Sequence, residues 1–229
     1  MRLGGLLKNT ALDFPGLFSA MVFTQGCNFR CPYCHNPHLV RLFGEPVDED
    51  DTLDFLRQRR KYLDGVVISG GEPTIQPDLA EFCKKLCGMG YEVKLDTNGS
   101  RPEVMAELLE RKLISYVALD LKADPGEYPS EIAPNMPEDS VLESIAVLKR
   151  SAVSYEFRTT CAFPFINLKS LEALAKAAAG SSATLFLQKY RPDFVLNPKF
   201  MAEYADQPTD GDMEAFRALA SKYLSTVIR

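Results

Sequence analysis

The sequence predicts an α/β fold, namely an open partial (β/α)6 barrel. Short apolar runs rich in β-branched residues alternate with stretches whose apolar residues recur at helical spacing. Strands and helices that alternate in this way form parallel sheets with right-handed crossovers. Six such units are fewer than the eight that close a barrel of about 250 residues. The predicted strands cover Phe18–Thr24, Val66–Ser69, Glu92–Asp96, Tyr116–Leu121, Tyr155–Thr160 and Thr184–Lys189.

The stretches between these strands carry helix signals. Pro77 precedes one apolar helical face and Gly88 follows it. Ser100 followed by Glu103 is typical of a capped helix start. A chain of 229 residues can bury about 70 to 75% of its surface as one domain. We therefore expect a single domain over 1–229, with a core at 17–191 and a C-terminal helix at 211–228 that packs on it.

Charge and hydropathy exclude several classes of partner. A net charge of -5 provides no basic face for a phosphate backbone, so nucleic acid is not expected. Lys8 and Asn9 interrupt the N-terminal residues, which is wrong for a secretory signal. No apolar run approaches the roughly 18 residues that a membrane span needs. We expect a cytoplasmic protein whose six cysteines are metal ligands, core residues or reactive thiols, since that compartment disfavours disulfides.

A cysteine-rich loop follows the first predicted strand, with the sequence Q-G-C-N-F-R-C-P-Y-C-H-N-P. Three thiolates in one tight loop can bind three irons of a cubane cluster, because soft sulfur suits iron, and the fourth iron then stays open. A zinc site completed by His38 is the alternative, since His35 directly follows a cysteine and diverges from it. The loop cysteines are Cys27, Cys31 and Cys34, and the core cysteines are Cys83, Cys87 and Cys161.

Polar residues also follow the later strands. The carboxyl ends of parallel strands meet at one edge of a sheet, where ligands bind. The paired glycines before Glu72 would let a ligand approach the backbone, or else form a tight turn. Glu72 could accept hydrogen bonds from an ammonium group. Two carboxylates and a lysine could bind a ligand or form an ordinary ion-pair cluster, and an arginine could clamp a carboxylate. These residues are Asp96, Asp120, Lys122, Arg158 and Arg191.

The C-x-x-x-C-x-x-C loop, with Tyr33 before the third cysteine, resembles the radical S-adenosylmethionine (SAM) superfamily. That resemblance implies one 4Fe-4S cluster on the three loop cysteines, and SAM as cofactor. The G-G-E-P segment would bind the amino group of SAM through Gly70, Gly71, Glu72 and Pro73. The D-T-N-G and L-D-L-K segments are similar to those of glycyl radical enzyme activases. This second similarity implies a SAM carboxylate and a monovalent cation near Asp96, Thr97 and Asp120, with Lys122 on SAM. Arg158 and Arg191 are further candidate SAM contacts, although some activases carry histidine near the Arg191 position.

The longer stretch from Gly4 through the cysteine loop resembles activating proteins of anaerobic ribonucleoside-triphosphate reductase. The resemblance implies that SAM is cleaved to methionine and a 5′-deoxyadenosyl radical, which takes hydrogen from a glycine of that reductase. Asp13 would contact the substrate peptide. No general base is expected, and the lack of a second cysteine cluster implies an external reductant such as flavodoxin or ferredoxin. The alternatives are a radical SAM enzyme acting on a small molecule, as 7-carboxy-7-deazaguanine synthases do, and a zinc-binding protein without catalysis.

Overall fold

The computed structural model describes residues 1–137 and 139–229, in which strands and helices alternate. The strands are β1 (Leu3–Thr10), β2 (Ser19–Thr24), β3 (Gly65–Gly70), β4 (Glu92–Thr97), β5 (Tyr116–Asp120), β6 (Ser154–Cys161), β7 (Leu185–Lys189) and β8 (Thr226–Ile228). The helices are α1 (Pro37–Val40), α2 (Glu49–Arg59), α3 (Leu79–Gly88), α4 (Pro102–Glu110), α5 (Ser140–Arg150), α6 (Leu168–Ala178), α7 (Pro198–Ala202) and α8 (Asp210–Ala220). The predicted α/β fold class is confirmed, and β2 to β7 match the six predicted strands.

The chain divides into two compact units. The first contains residues 1–28, 38–97 and 103–117, and the second contains 29–37, 98–102 and 118–229. The single domain over 1–229 stays a prediction. Within the described residues, no helix is long and apolar enough to cross a membrane.

The first unit is built on a mixed sheet. Its strands run in the order β1, β2, β3, β4 and then the first residues of β5. β2 pairs in parallel with β3, and β3 with β4, whereas β1 is antiparallel to β2. Phe14, Met21 and Val67 form an apolar cluster in this unit, against which Tyr116 packs. This packing holds β2 and β3 together, and the G-G-E-P segment lies at the carboxyl end of β3.

Strand β1 was not predicted from the sequence. Its glycines and its polar Lys8 and Asn9 hide the alternation that marks a strand. One of these glycines has a packing reason, because a Cβ at Gly4 would lie 2.4 Å from the Leu39 side chain. Glycine at position 4 lowers the β-propensity of the strand but allows its backbone to pack closely against Leu39.

The second unit also contains parallel strands. The last residues of β5 are followed by β6, β7 and β8, and the two pairs β6–β7 and β7–β8 are parallel. The predicted C-terminal helix over 211–228 is wrong in its extent, since α8 ends at Ala220. The β-branched residues Thr226, Val227 and Ile228 instead pair with Leu185–Leu187 of β7. β-Branched side chains favour a pleated strand over a helix, which explains the change.

Candidate functional site

In the first unit, the G-G-E-P segment is bound to the chain that leads into the cysteine loop. The backbone N–H of Gly71 donates to the Thr24 carbonyl at 2.9 Å, and that of Glu72 donates to the Gly26 carbonyl at 2.8 Å. A Cβ at Gly71 would lie 1.9 Å from the Gly26 oxygen, and Gly70 has a φ of +112°. Glycine is needed here because two backbone segments touch. The paired glycines thus join their segment to the residue before Cys27.

Glu72 is fully buried and its carboxylate is held by neighbouring donors. Its Oε1 accepts hydrogen bonds from the Thr74 backbone N–H at 3.1 Å, from Thr74 Oγ1 at 2.6 Å and from Thr97 Oγ1 at 2.7 Å. The structure therefore brings together two of the predicted residues, Glu72 from the turn after β3 and Thr97 from the end of β4. A buried carboxylate fixed in this way keeps one orientation. Pro73, the last residue of the motif, begins a short 3-10 turn.

Asp96 of β4 has a partner that the sequence analysis missed. Lys94 Nζ lies 2.7 Å from Asp96 Oδ1, and the two side chains are 1% and 7% exposed. Residues two apart in a strand share a face, which is why these side chains meet. Lys94 Nζ also lies 5.7 Å from the ring centroid of Tyr116. The sequence did carry a signal for this pair, because a lysine inside a predicted strand is followed two residues later by a carboxylate.

In the second unit, Asp120 at the end of β5 lies between two cations. Arg158 Nε is 2.8 Å from Asp120 Oδ1, and Lys122 Nζ is 3.2 Å from Oδ2. Burial alone would raise the pKa of Asp120, but Arg158 and Lys122 outweigh it and hold this pKa at about 2. Burial would lower the pKa of Lys122, but Asp120 and nearby thiols raise it. The structure thus brings three predicted residues together as a charged group.

The part of the cysteine loop in the second unit packs against this charged group. The Tyr33 hydroxyl donates to the Lys122 carbonyl at 3.4 Å, and its ring packs on Phe165 with centroids 5.7 Å apart. Cys31 is buried, and burial raises the pKa of its thiol to about 12, although the charge of Lys122 opposes that rise. The Cys34 backbone N–H donates to the Cys31 carbonyl at 3.0 Å, which closes a tight turn. The loop's aromatic residue therefore lies beside Lys122.

Arg191 also belongs to the second unit. Arg191 follows β7 and is exposed. The pKa of His35 is lowered mainly by the partial burial of its ring and, to a smaller extent, by the positive charge of Arg191. The His35 ring lies 6.3 Å from the Tyr190 ring. Arg191 therefore faces the end of the cysteine loop in the second unit, and its contact with SAM stays a prediction.

Asp13 lies in the turn between β1 and β2 in the first unit. Thr10 Oγ1 donates to its Oδ2 at 2.6 Å. The register pairs Ser19 with Gly65 and Thr24 with Gly70, so Asp13 precedes the starts of the parallel strands. Strand β2 spans about 16 Å at roughly 3.3 Å per residue, which separates this turn from the G-G-E-P edge. The contact of Asp13 with a substrate stays a prediction.

Of the three predicted core cysteines, Cys83 and Cys161 are buried, whereas Cys87 is half-buried. Within the part of the chain that the structure describes, no cysteine forms a disulfide. Burial raises the pKa of Cys83 and of Cys161 to about 12, as expected for thiols in an apolar core. Cys27 belongs to the first unit and Cys31 and Cys34 to the second. Thiolate sulfur is the donor that iron–sulfur clusters use, and the assignment of Cys27, Cys31 and Cys34 to one cluster stays a prediction.

Comparison with known proteins gives a consistent match. The profile of the radical SAM superfamily matches residues 21–178. A protein of Methanocaldococcus jannaschii, provisionally named a glycyl-radical enzyme activating enzyme, is 32% identical over 232 residues, covering 98% of this chain and 93% of the relative. The pyruvate formate-lyase-activating enzyme of Clostridium pasteurianum is 36% identical over 117 residues, which is 48% of each protein.

A solved structure shares the fold. SuiB of Streptococcus suis, bound to its precursor peptide SuiA, superposes with a TM-score of 0.64 at 14% identity. The alignment covers 90% of this chain and 48% of SuiB.

Proposed function

The chain belongs to the radical SAM superfamily, and we propose that it activates a glycyl radical enzyme. In this proposal it cleaves SAM reductively and removes a hydrogen atom from a glycine of a partner enzyme. The partner we propose is an anaerobic ribonucleoside-triphosphate reductase, on the strength of the N-terminal resemblance. A relative of nearly the same length carries the name of an activating enzyme, which supports the activase role.

Cys27, Cys31 and Cys34 are the proposed ligands of one 4Fe-4S cluster. Three ligands leave one iron open to a cofactor, whereas a cluster with four cysteine ligands has no open iron. When bound, the cluster would supply the single electron that breaks a carbon–sulfur bond of SAM and so generates the radical. Its external donor is proposed to be a flavodoxin or a ferredoxin.

The observation that carries the proposal is the attachment of Glu72 to the start of the cysteine loop. Its backbone N–H binds the Gly26 carbonyl, and its carboxylate is fixed by Thr74 and Thr97. A rigid carboxylate beside the cluster loop suits an ammonium group that must approach an open iron. We propose that Glu72 orients the amino group of SAM, with Gly70, Gly71 and Pro73 shaping that turn.

The charged group of the second unit is the proposed site for the other polar parts of SAM. Lys122 and Arg158 provide two positive charges around Asp120, which suits a carboxylate ligand with nearby hydroxyls. Tyr33 lies beside Lys122 and is a further proposed contact of the cofactor. Arg191 is a further proposed contact, and Asp13 is proposed to bind the substrate peptide.

The experiment that tests the cofactor chemistry is anaerobic reconstitution followed by product analysis. We expect about four irons and four sulfides per chain, and formation of 5′-deoxyadenosine and methionine from SAM after reduction. One zinc per chain, with no iron or sulfide retained, would instead support the zinc-binding alternative. SAM cleavage that depends on a free metabolite would support a radical SAM enzyme acting on a small molecule.

A further inference from the structure

The buried pair of Lys94 and Asp96 bears on whether this chain needs a monovalent cation at its SAM site. The ammonium lies 2.7 Å from the carboxylate, and Lys94 is 1% exposed. Its Nζ also lies 5.7 Å from the Tyr116 centroid, within reach of a cation–π contact. Lys94 therefore places a fixed positive charge against Asp96 inside the first unit.

A buried ion pair of this kind is not explained by stability alone. Removing two charges from water costs several kcal/mol per ion, and apolar residues of similar volume are often as stabilising or more so. Lys94 is buried and its Nζ lies near the Tyr116 ring, so an aliphatic side chain could also fill position 94. The pair instead directly precedes Thr97, whose hydroxyl binds Glu72. A role in the candidate site accounts for the charge.

The donor set expected for a cation is already engaged in this chain. Cations such as K⁺ are held by oxygen ligands, and a carboxylate that faces a protein cation is a poor additional ligand. Asp96 faces Lys94, and Asp120 faces both Lys122 and Arg158. The Thr97 hydroxyl donates a hydrogen bond to Glu72. The two carboxylates named for a cation are therefore poor ligands for one.

We propose that Lys94 supplies, as a built-in ammonium, the positive charge that a bound monovalent cation would supply next to Asp96. Lys94 is then a positioning residue: it holds the Asp96 carboxylate in place beside the SAM site, and SAM binding needs no K⁺ or Na⁺. This inference rests on the proposed SAM-binding function. It assigns a role to a residue that no sequence motif singled out.

The first test uses the wild-type protein with its reconstituted cluster. The affinity for SAM is measured by anaerobic calorimetry in potassium chloride and in tetramethylammonium chloride at equal ionic strength, since tetramethylammonium is too large for a cation site. The proposal predicts the same dissociation constant in both salts, within about twofold. A dissociation constant at least tenfold lower in potassium would overturn it. Saturable SAM binding in either salt upholds the proposed function even then.

The second test asks whether removing the Lys94 ammonium creates a cation site. Tl⁺ is the probe, and its binding to the protein in the absence of SAM is measured by ²⁰⁵Tl magnetic resonance. Wild type should show no saturable Tl⁺ site that depends on Asp96, whereas Lys94→Met should gain one. SAM affinity of Lys94→Met should fall about tenfold in tetramethylammonium and recover in potassium. Lys84→Met, which removes an exposed lysine of α3, should behave as wild type.

Two outcomes of the second test would refute the inference. One is a Tl⁺ site in wild type that Asp96→Asn abolishes. The other is a folded Lys94→Met protein with neither Tl⁺ binding nor potassium rescue. If Lys94→Met does not fold, the wild-type salt comparison and the wild-type Tl⁺ titration still decide the matter. Failure to bind SAM in any salt would count against the proposed function, whereas the Tl⁺ result bears on Lys94 alone.

Discussion

The Thr97 hydroxyl donates a 2.7 Å hydrogen bond to Glu72 Oε1, joining the end of β4 to the turn after β3. Thr97→Val removes this buried donor, and we expect the free energy of unfolding to fall by about 1 to 3 kcal/mol. Thr97→Ser keeps the hydroxyl and should lose less than half as much. Urea unfolding of the two variants measures the difference. Equal losses would mean that the methyl group, rather than the hydrogen bond, stabilises this junction.

The contact between Gly71 and Gly26 predicts a strong glycine requirement. Gly71→Ala places a Cβ 1.9 Å from a backbone oxygen, so the turn must shift. We expect thermal unfolding at least 10 °C lower, or insoluble protein, since a loss of several kcal/mol lowers Tm by a few degrees for each kcal/mol. Gly88→Ala is the matched control, because its Cβ meets nothing within 4 Å. Similar melting temperatures for the two variants would contradict the predicted clash.

The depressed pKa of Asp120 predicts a pH-dependent contribution to stability. The folded-state pKa is about 2 and the ordinary value is 3.8, so the ionised carboxylate stabilises the fold above about pH 4. This contribution is lost as pH falls towards 2. Asp120→Asn should cost about 2 kcal/mol at neutral pH, and the difference from wild type should shrink below about pH 4.

Denaturant unfolding at several pH values checks the Asp120 prediction. Asp54→Asn breaks an exposed ion pair with Arg57 and should cost under about 1 kcal/mol at every pH. A cost for Asp120→Asn that is the same at pH 7 and at about pH 2.5 would rule out the ion-pair explanation.

The loop cysteines are expected to be individually essential for cofactor chemistry. Cys27→Ala, Cys31→Ala and Cys34→Ala should each abolish 5′-deoxyadenosine formation and lower the iron content. Cys87→Ala is the matched control, since this half-buried thiol lies on α3, outside the cysteine loop, where it donates to the Leu113 carbonyl. Full SAM cleavage by any one of the loop variants would disprove the ligand assignment.

Variants at Asp13 and at its partner Thr10 distinguish a role of Asp13 in substrate binding from a role in the structure of the turn. Asp13→Asn keeps an acceptor for Thr10 but removes the charge, and we expect it to weaken partner activation about tenfold while sparing uncoupled SAM cleavage. Thr10→Val breaks the same turn without touching the carboxylate. If Thr10→Val reproduces the loss, the effect of Asp13 is on the turn alone.

Sequence reasoning predicted those parts of the fold that have a local signal. Strands β2 to β7 were predicted because buried parallel strands are continuous apolar runs, and the cysteine loop because its spacing is compact. Strand β1 and the end of α8 were missed, since glycines mask the first and strand pairing overrides helical spacing in the second.

The charges inside the candidate site could not be predicted in the same way. The sequence named Asp96 and Asp120 but did not show which cation each would face. Lys94 meets Asp96 because both side chains are buried on one face of β4, and burial depends on the packed fold. Asp120 pairs with Arg158, 38 positions away. Such pairings depend on strand order, which motif spacing does not encode.

The measurement that tests the central claim most directly is anaerobic electron paramagnetic resonance. The reconstituted, reduced protein is mixed with SAM and with an anaerobic ribonucleoside-triphosphate reductase from the same source. We predict a glycyl-radical doublet that requires SAM and is absent with Cys31→Ala. A cluster signal that changes with SAM, together with SAM cleavage but no doublet from any glycyl radical enzyme of that source, would contradict the activase function.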